Sequence, residues 1–239
     1  MKDQETQNKN KNLKSGSMPF SFRTIRDFDE HIQRSIEGYD ILECLIIPLA
    51  SNFIKESSYI VDYGCSSGRM INNIAIRHPE ARFFGFDITS HNFLEAKHLV
   101  PNVRLIRKDV LHLDEEYTHY ISLNLFIFTL QFMEYSDRIA VLKQAYDSLE
   151  PGGAIFVAEK VYCNSSKMQD YFQFSHYDRK RLSFSAEEIL NKQKDLRKIM
   201  RPLYEDDLIN LFNDAGFKMR NIELFWASYN FRAYCLIKD

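Results

Sequence analysis

The chain has 239 residues, of which 45% are hydrophobic and 27% charged, a length and composition that allow one sizeable hydrophobic core. Its formal net charge of −2 argues against a surface built throughout to bind nucleic-acid phosphates. No run approaches the roughly 20 apolar residues of a membrane span, and the four cysteines lie too far apart to suggest a metal site or a disulfide framework. We therefore expect a cytoplasmic protein with reduced thiols, without a metal and without a membrane partner.

The beginning of the chain divides into two segments of different composition. Residues 1–17 contain a single leucine among polar residues after the initial methionine, too little apolar surface to offset the entropy of ordering, and are predicted to form a disordered tail. From Asp27 onward, apolar residues recur at helical spacing, with an interruption near Gly38. This pattern predicts a helical lid over residues 27–56, at the start of a single domain that spans residues 18–239.

Short apolar runs then alternate with helical segments. The predicted strands cover residues 59–62, 83–86, 103–106, 120–128 and 154–158, and the predicted helices cover residues 70–78, 92–99 and 138–149. Strands that alternate with helices indicate a doubly wound α/β fold around a parallel sheet.

The last third of the chain departs from this alternation. Residues 160–200 are polar and basic, and Ser185 and Glu188 have the spacing of a capping box, so we predict a helical insertion after the fifth strand. Two further strand-like runs, at residues 222–226 and 231–237, are joined by a link short enough for a hairpin. The sheet should therefore carry an antiparallel pair at its end.

The strongest functional signal is the sequence DYGCSSG at residues 62–68. Glycines at a strand-to-helix turn let the backbone approach a ligand closely, and the N-terminus of the following helix offers free N–H donors. Asp87 lies about 20 residues further on, at the end of the next strand, where a carboxylate can accept hydrogen bonds from ribose hydroxyls. Asp109 ends the third strand and is placed to accept from an adenine amino group. The alternative for the glycine motif alone is an ordinary glycine-rich turn, and Asp109 taken singly is equally compatible with a loop acid that is satisfied by water.

The spacing of the glycines decides between two nucleotide cofactors. Gly64 and Gly68 are separated by three non-glycine residues, so the G-x-G-x-x-G pattern of nicotinamide cofactors is missing. Three successive strand ends with glycine or aspartate instead favour an adenosyl group. Together with the terminal hairpin, they predict a Rossmann-like class I methyltransferase fold, a doubly wound seven-stranded α/β sheet with an antiparallel C-terminal hairpin, that binds S-adenosylmethionine.

Several other segments are not generic to methyltransferases. They are HIQRSIEGY at residues 31–39, FTLQFM at 128–133, EPGGA at 150–154, AEK at 158–160, HYD at 176–178, KR at 180–181, Trp226, and NF at 230–231. With the DYGCS of the glycine turn, these segments resemble the carboxy-S-adenosylmethionine synthase family over about residues 28–238.

The resemblance implies a function and a set of site residues. The family converts S-adenosylmethionine and prephenate into carboxy-S-adenosylmethionine, which a partner enzyme uses on the wobble uridine of tRNA. Matching positions imply a cofactor site formed by Tyr39, Gly64, Cys65, Ser66, Asp87, Ile88, Asp109, Val110 and Ile127. Candidates for contact with the substrate are Glu159, His176, Tyr177 and Gln193, and a structural, hydrogen-bonded histidine is the alternative for His176. No residue is assigned as the catalytic base, and the family's insertion reaches a neighbouring subunit, which implies a homodimer.

Two positions depart from the family's pattern. Ile127 stands where the family has an asparagine, and Gln193 stands where the family has the arginine that pairs with the extra carboxylate. An arginine binds a carboxylate through two charge-assisted hydrogen bonds, whereas a glutamine amide is neutral. We therefore expect methyl transfer from S-adenosylmethionine to a small molecule, with carboxy-S-adenosylmethionine synthesis as the alternative. Neighbouring cations that could replace the arginine are Lys192, Lys194 and Arg197.

A basic stretch over residues 179–201 supports a third hypothesis, a tRNA-binding protein or an RNA methyltransferase. Acids interleave with its lysines and arginines, namely Asp178, Glu187, Glu188 and Asp195. This mixture is typical of a solvated helix face, so a nucleic-acid partner is not favoured.

Overall fold

A computed structural model of the chain describes residues 28–95, 98–117 and 119–239. The predicted disordered tail at residues 1–17 lies outside these ranges. None of the helices in the described ranges is long and apolar enough to cross a membrane.

A largely parallel sheet organises the described residues. Its strands are β1 (Tyr59–Tyr63), β2 (Arg82–Asp87), β3 (Val103–Arg107), β4 (Ile121–Ile127), β5 (Leu149–Tyr162), β6 (Leu203–Tyr204), β7 (Ile222–Ser228) and β8 (Phe231–Ile237). The strand order is β3-β2-β1-β4-β5-β8-β7, and β6 pairs with β5 beside this path. Since the chain progresses outward in both directions from the β1–β4 junction, the sheet is doubly wound.

The predicted fold class is confirmed. Strands β1 to β5 are parallel, and β8 runs antiparallel to both β5 and β7, which forms the expected C-terminal hairpin. The two-residue strand β6 adds an eighth member to the seven on the main path, because it pairs with the extended end of β5 at Val161 and Tyr162. Two residues are too few to show a hydrophobic period, so the sequence did not reveal this strand.

Seven α-helices surround the sheet. They are α1 (Phe28–Ser35), α2 (Tyr39–Ala50), α3 (Arg69–Ala75), α4 (Tyr135–Ser148), α5 (Ser166–Lys180), α6 (Ala186–Ile199) and α7 (Glu205–Asp214), counted within the described ranges. Helices α1 and α2 occupy the region predicted as a lid, and Gly38 separates them with a φ of 77°, a backbone conformation that favours glycine. Helices α5 and α6 occupy the predicted insertion, and the capping box of Ser185 and Glu188 is present at the start of α6.

Two predicted elements differ from those observed. The helix expected over residues 92–99 is a short 3₁₀ helix over Asn92–Glu95, and residues 98 and 99 are not helical. His98 has a φ of 60°, which is incompatible with a continuing right-handed helix. The fifth strand begins at Leu149 and not at residue 154, because Leu149 already pairs with Ile121 of β4 and the irregular Pro151-Gly152-Gly153 segment stays attached to the sheet, where Gly152 N donates to Lys238 O at 2.9 Å.

Hydrophobic clusters cover both faces of the sheet. Successive residues of β1 point to opposite faces, so Ile60 joins the cluster under α2 and α3, whereas Val61 joins the cluster under α4 and α7. Strand β4 is buried along almost its whole length. The carboxyl ends of the parallel strands remain uncovered by these two layers and are left available for a site.

Candidate functional site

A cavity of about 600 Å³ lies at the carboxyl ends of the central strands. Its floor is the junction of β1 and β4. At this junction the order in which the chain adds strands reverses, and doubly wound folds bind their ligands at such a point. Helix α1 of the lid and helices α5 and α6 of the insertion complete its walls. The sheet, the lid and the insertion therefore meet at a single site.

Most of the residues predicted for the site line this cavity. From the glycine turn and the lid these are Tyr39, Gly64, Cys65 and Ser66. From the strand ends they are Asp87, Ile88, Asp109, Val110 and Ile127. His176 and Gln193 also belong to the lining. The structure thus brings together all positions expected to contact a cofactor and two of those expected to contact a substrate.

Glu159 and Tyr177 are not part of the lining. Glu159 is buried on β5, and its Oε1 accepts a hydrogen bond from Leu130 N at 2.9 Å, so the carboxyl fixes the loop after β4. Burial raises its pKa to about 8. The Tyr177 hydroxyl accepts from Gln173 Nε2 at 2.5 Å along α5. Both side chains have partners elsewhere, which their position in the sequence did not indicate.

The glycine turn is held in a conformation that needs glycine. Gly64 has a φ of 81°, and a Cβ at this position would lie 2.5 Å from Thr129 Oγ1. Its N–H donates to Phe86 O at 2.7 Å, which ties the turn to the end of β2. Ser66 N donates to Asp87 Oδ2 at 3.1 Å. The turn and Asp87 therefore form one hydrogen-bonded unit.

The three strand-end acids have different surroundings. Asp109 is exposed, and its Oδ1 accepts from Leu111 N at 3.0 Å as the cap of a short 3₁₀ helix. Asp87 Oδ1 accepts from Thr89 N at 2.8 Å. Asp62 is only 3% exposed, and burial, followed by the charge of Asp87, raises its pKa to about 8. Asp62 was not predicted as a site residue, although it lies near the end of β1, two residues before Gly64. We call Gly64, Asp62, Asp87 and Asp109 the strand-end half of the cavity.

Three lysines of β5 and the insertion line the same cavity. Lys160 of β5, Lys180 of α5 and Lys192 of α6 belong to the lining, and we call these three residues the lysine half. Burial lowers the pKa of Lys192 to about 7 and that of Lys180 to about 8. Sequence analysis did not predict this cluster, because its members lie on three separate elements.

The lid helix α1 connects the two halves. Near its start, Asp29 Oδ1 accepts from Ser67 Oγ of the glycine turn at 2.6 Å. Near its end, Ser35 Oγ accepts from Lys192 Nζ at 3.0 Å, and His176 Nε2 donates to Ser35 O at 2.9 Å. His176 thus has the hydrogen-bonded structural role that was the alternative for it, while also contributing to the cavity wall.

The positions that depart from the resembled family also lie in the cavity. Ile127 and Gln193 line it, and so does Lys192, the neighbour of Gln193. Lys194 and Arg197 are exposed and do not belong to the lining. Of the three cations considered as replacements for the missing arginine, Lys192 is the one that reaches the site.

Comparisons with known proteins define the class. A family described as methyltransferase domain matches residues 60–153. An S-adenosylmethionine-dependent methyltransferase from Methanosarcina mazei shares the fold, with a TM-score of 0.57, 16% identity, and coverage of 80% of this chain and 97% of that one. Human N-acetylserotonin methyltransferase in complex with S-adenosylmethionine gives a TM-score of 0.53 at 15% identity, over 83% of this chain and 54% of the human chain. The fold is that of S-adenosylmethionine-dependent methyltransferases.

Sequence relatives narrow this class to one family. The carboxy-S-adenosyl-L-methionine synthase of Aliivibrio fischeri is 31% identical over 235 residues, which cover 94% of this chain and 95% of that protein. The enzyme of the same name from Haemophilus ducreyi is 30% identical and covers 95% of this chain and 94% of that protein. This chain belongs to the carboxy-S-adenosyl-L-methionine synthase family.

Proposed function

We propose that the cavity binds S-adenosylmethionine through its strand-end half and that the chain transfers the methyl group to a small molecule. The observation that carries this proposal is the convergence of the glycine turn, Asp87 and Asp109 on one cavity at the β1–β4 junction. Asp87 would accept from the ribose hydroxyls and Asp109 from the adenine amino group. The N–H groups after Gly64 would face the methionine part of the cofactor.

Side chains around these polar groups suit the rest of the cofactor. Tyr39 and Val110 are buried in the wall, and Ile88 is exposed at its rim, so apolar surface is available for the adenine ring. Asp62 would face the α-ammonium group of the methionine part. A cation placed there favours the ionised carboxylate, and so offsets the effect of burial on its pKa.

The glutamine at position 193 favours methyl transfer from S-adenosylmethionine over synthesis or binding of a carboxylated cofactor. It lines the cavity where the family has an arginine, and a neutral amide cannot supply the paired, charge-assisted hydrogen bonds of a guanidinium. Methyl transfer itself requires mainly that the acceptor be positioned in line with the sulfonium. The loss of the arginine should therefore weaken binding of the carboxylated cofactor more than binding of S-adenosylmethionine.

Synthesis of carboxy-S-adenosylmethionine is the second candidate. The relatives from Aliivibrio fischeri and Haemophilus ducreyi bear that name and match this chain over almost its whole length. Lys192 brings a cation into the lining beside Gln193, which can partly compensate for the arginine. A role in tRNA modification would follow only from this second candidate.

The cellular setting is part of the same proposal. We infer a homodimer from the exposed apolar side chains of the insertion, since Phe174, Leu182 and Leu190 are 65%, 74% and 54% exposed. Free cysteines at all four positions agree with the reducing cytoplasm. Light scattering on the purified chain measures its oligomeric state, and a monomer would contradict the inferred homodimer.

Mass spectrometry of the ligand that copurifies with the protein distinguishes the two candidates. S-adenosylmethionine or its demethylated product is the expected ligand, whereas carboxy-S-adenosylmethionine would favour the second candidate. Calorimetry with both cofactors on the native chain and on Gln193→Arg provides the matched test. We expect the substitution to strengthen binding of the carboxylated cofactor by about tenfold, in line with one charged hydrogen-bonded pair. Equal binding before and after the change would remove Gln193 from the argument.

A further inference from the structure

The loop that follows β4, residues 128–133, forms part of the cavity wall. Each of its residues except Leu130 belongs to the lining. Thr129 Oγ1 donates to Tyr63 O at 2.7 Å, and the Thr129 side chain fills the space that a Cβ on Gly64 would need. The loop therefore packs directly under the glycine turn, and its conformation sets the shape of the cavity there.

Local interactions do little to hold this loop. Phe128 has a φ of 58°, which is uncommon for a residue other than glycine. A 3₁₀ helix of three residues follows at Leu130–Phe132, and the side chain of its cap residue, Thr129, makes no capping hydrogen bond. A strained residue and a short helix with free N–H groups at its start persist only when the surrounding structure supports them.

Glu159 of β5 supplies that support at the start of the loop. Its side chain is buried, and Oε1 accepts from Leu130 N at 2.9 Å. Burial raises the pKa of the carboxyl to about 8, and the charge of Arg138 opposes this effect. Hydrogen bonds from the N–H groups of Thr129, Leu130 and Gln131 oppose it as well. One carboxyl thus serves three consecutive N–H groups.

Arg138 of α4 holds the other end of the loop. Its Nε and Nη2 donate to Met133 O at 3.1 Å and 3.0 Å, and Nη2 also donates to Arg201 O at 2.6 Å. Arg201 N in turn donates to Gln131 O at 2.7 Å. Arg138 and Glu159 are both buried and lie outside the cavity lining. Two side chains that do not face the cavity therefore fix the segment that does.

We propose that Glu159 is a positioning residue, whose carboxyl holds residues 128–133 in the conformation that binds the cofactor without contacting the cofactor itself. The identity of that ligand as S-adenosylmethionine rests on the proposed function. A loop without its anchor adopts other conformations, and the apparent affinity for a ligand falls in proportion to the fraction that remains competent. The carboxyl serves as an acceptor for Leu130 N whether it is protonated or ionised.

Two variants of similar size separate the acceptor from the bulk and the charge of the side chain. Glu159→Gln keeps a carbonyl oxygen for Leu130 N, whereas Glu159→Met has no acceptor, and both variants are neutral. We expect Glu159→Met to bind S-adenosylmethionine about tenfold more weakly than the native chain, because the competent fraction of the loop falls. Glu159→Gln should stay within about threefold of the native affinity, since one acceptor remains. Calorimetry on the full chain at pH 7 measures all three affinities.

Hydrogen exchange reports on the loop without any ligand. Mass spectrometry of a peptide that covers residues 128–133 should show faster exchange in Glu159→Met than in the native chain, because a lost anchor raises the population of open states. Glu159→Gln should exchange nearly as slowly as the native chain. Glu159→Asp keeps the charge but shortens the reach by one methylene group, so it should also loosen the loop. It provides the same comparison if Glu159→Met does not fold.

Ser148→Ala is the control for a general loss of stability. Ser148 is buried, its Oγ donates to Ala145 O at 2.7 Å, and it lies outside the cavity lining. Removal of this hydrogen bond should lower the melting temperature, whereas exchange at residues 128–133 and the affinity for S-adenosylmethionine should not change. A loss of affinity in this variant would show that affinity follows overall stability and would overturn the positioning role.

Three further results would also overturn the role of Glu159. They are equal affinity losses in Glu159→Gln and Glu159→Met, native affinity in Glu159→Met, and native exchange at residues 128–133 in Glu159→Met. The proposed function is tested separately by titration of the native chain. If the native chain does not bind S-adenosylmethionine but Glu159→Met loosens the loop, the proposed function is wrong and Glu159 still positions this wall of the cavity.

Discussion

The two halves of the cavity differ in how the fold builds them. The strand-end half uses backbone groups and short acids that follow directly from the ends of parallel strands, so their positions are fixed by the sheet. The lysine half uses long side chains from β5, α5 and α6, and its shape depends on how the insertion packs against the lid. The first half is common to many proteins with this sheet, whereas the second can change its specificity without altering the sheet.

This difference indicates where each type of substitution should act. Changes in the strand-end half should affect folding and cofactor binding together, because the same hydrogen bonds serve both. Changes in the lysine half should affect a second ligand while the fold remains intact. The predictions below test that division.

Substitution of Gly64 should have the largest effect. Gly64→Ala introduces a Cβ 2.5 Å from Thr129 Oγ1 at a residue with a φ of 81°. We expect the left-handed backbone to cost about 1–2 kcal/mol and the steric overlap about 1–3 kcal/mol more. The free energy of unfolding, measured with urea, should therefore fall by several kcal/mol, and binding of S-adenosylmethionine should be lost.

Gly152→Ala is the control for the backbone contribution alone. Gly152 has a φ of 78°, but a Cβ there would have no neighbour within 4 Å. The free energy of unfolding of Gly152→Ala should fall only by the cost of the left-handed backbone, about 1–2 kcal/mol, and its affinity for the cofactor should not change. Equal losses at the two glycines would show that close packing under the turn is unimportant.

Substitution of Asp62 should have an intermediate effect on the free energy of unfolding, and this effect should depend on pH. Its carboxyl has a folded pKa of about 8, raised by burial, against an ordinary value of 3.8. Between these two values the folded chain binds a proton that the unfolded chain does not, so stability falls as the pH rises from about 4 to 8 and levels off above that. Asp62→Asn should remove this contribution, and its stability relative to the native chain should increase from pH 5 to pH 8.

Urea unfolding at pH 5 and at pH 8 measures the difference in stability between the native chain and Asp62→Asn. Glu159 provides an internal comparison, because its pKa is also raised to about 8 and it remains present in the Asp62→Asn variant. Some decline of stability with pH should consequently persist in the variant. If the native chain and the variant show identical pH dependence, Asp62 is ionised in the folded chain without a ligand.

Sequence reasoning was most successful for the strand-end half. The glycine turn and Asp87 are encoded within short segments at the ends of apolar runs, and the carboxyl ends of parallel strands necessarily meet at one edge. Asp62 belongs to the same motif, but its burial depends on tertiary packing that the motif does not specify. Cap formation by Asp109 also appeared only in the structure.

The lysine half could not be predicted as a unit. Lys160 and Lys180 lie in segments that carry the family resemblance, and Lys192 was considered as a substitute for the arginine that Gln193 replaces. Lys180 and Lys192 were also part of the basic stretch weighed as a tRNA-binding face. Their convergence depends on the direction in which α5 and α6 pack across the cavity. The same packing explains why Tyr177, one residue after His176, points away from the lining. Distances between elements, unlike strand ends, leave no local pattern in a sequence.

Removal of the hydrogen bond that attaches α1 to the glycine turn should have the smallest effect on cofactor binding. Ser67 Oγ donates to Asp29 Oδ1 at 2.6 Å, and this contact attaches the start of α1 to the glycine turn. Ser67→Ala removes the donor, and we expect a loss of about 1 kcal/mol in closure of the lid, since Asp29 can regain water as a partner. Affinity for S-adenosylmethionine, measured by calorimetry, should fall about fivefold.

Ser51→Ala serves as the control for Ser67→Ala, because it removes a hydroxyl that contacts His78 at the far end of the lid and outside the cavity. It should leave the affinity for S-adenosylmethionine unchanged. Unchanged affinity in Ser67→Ala would mean that the attachment of α1 to the glycine turn does not contribute to cofactor binding.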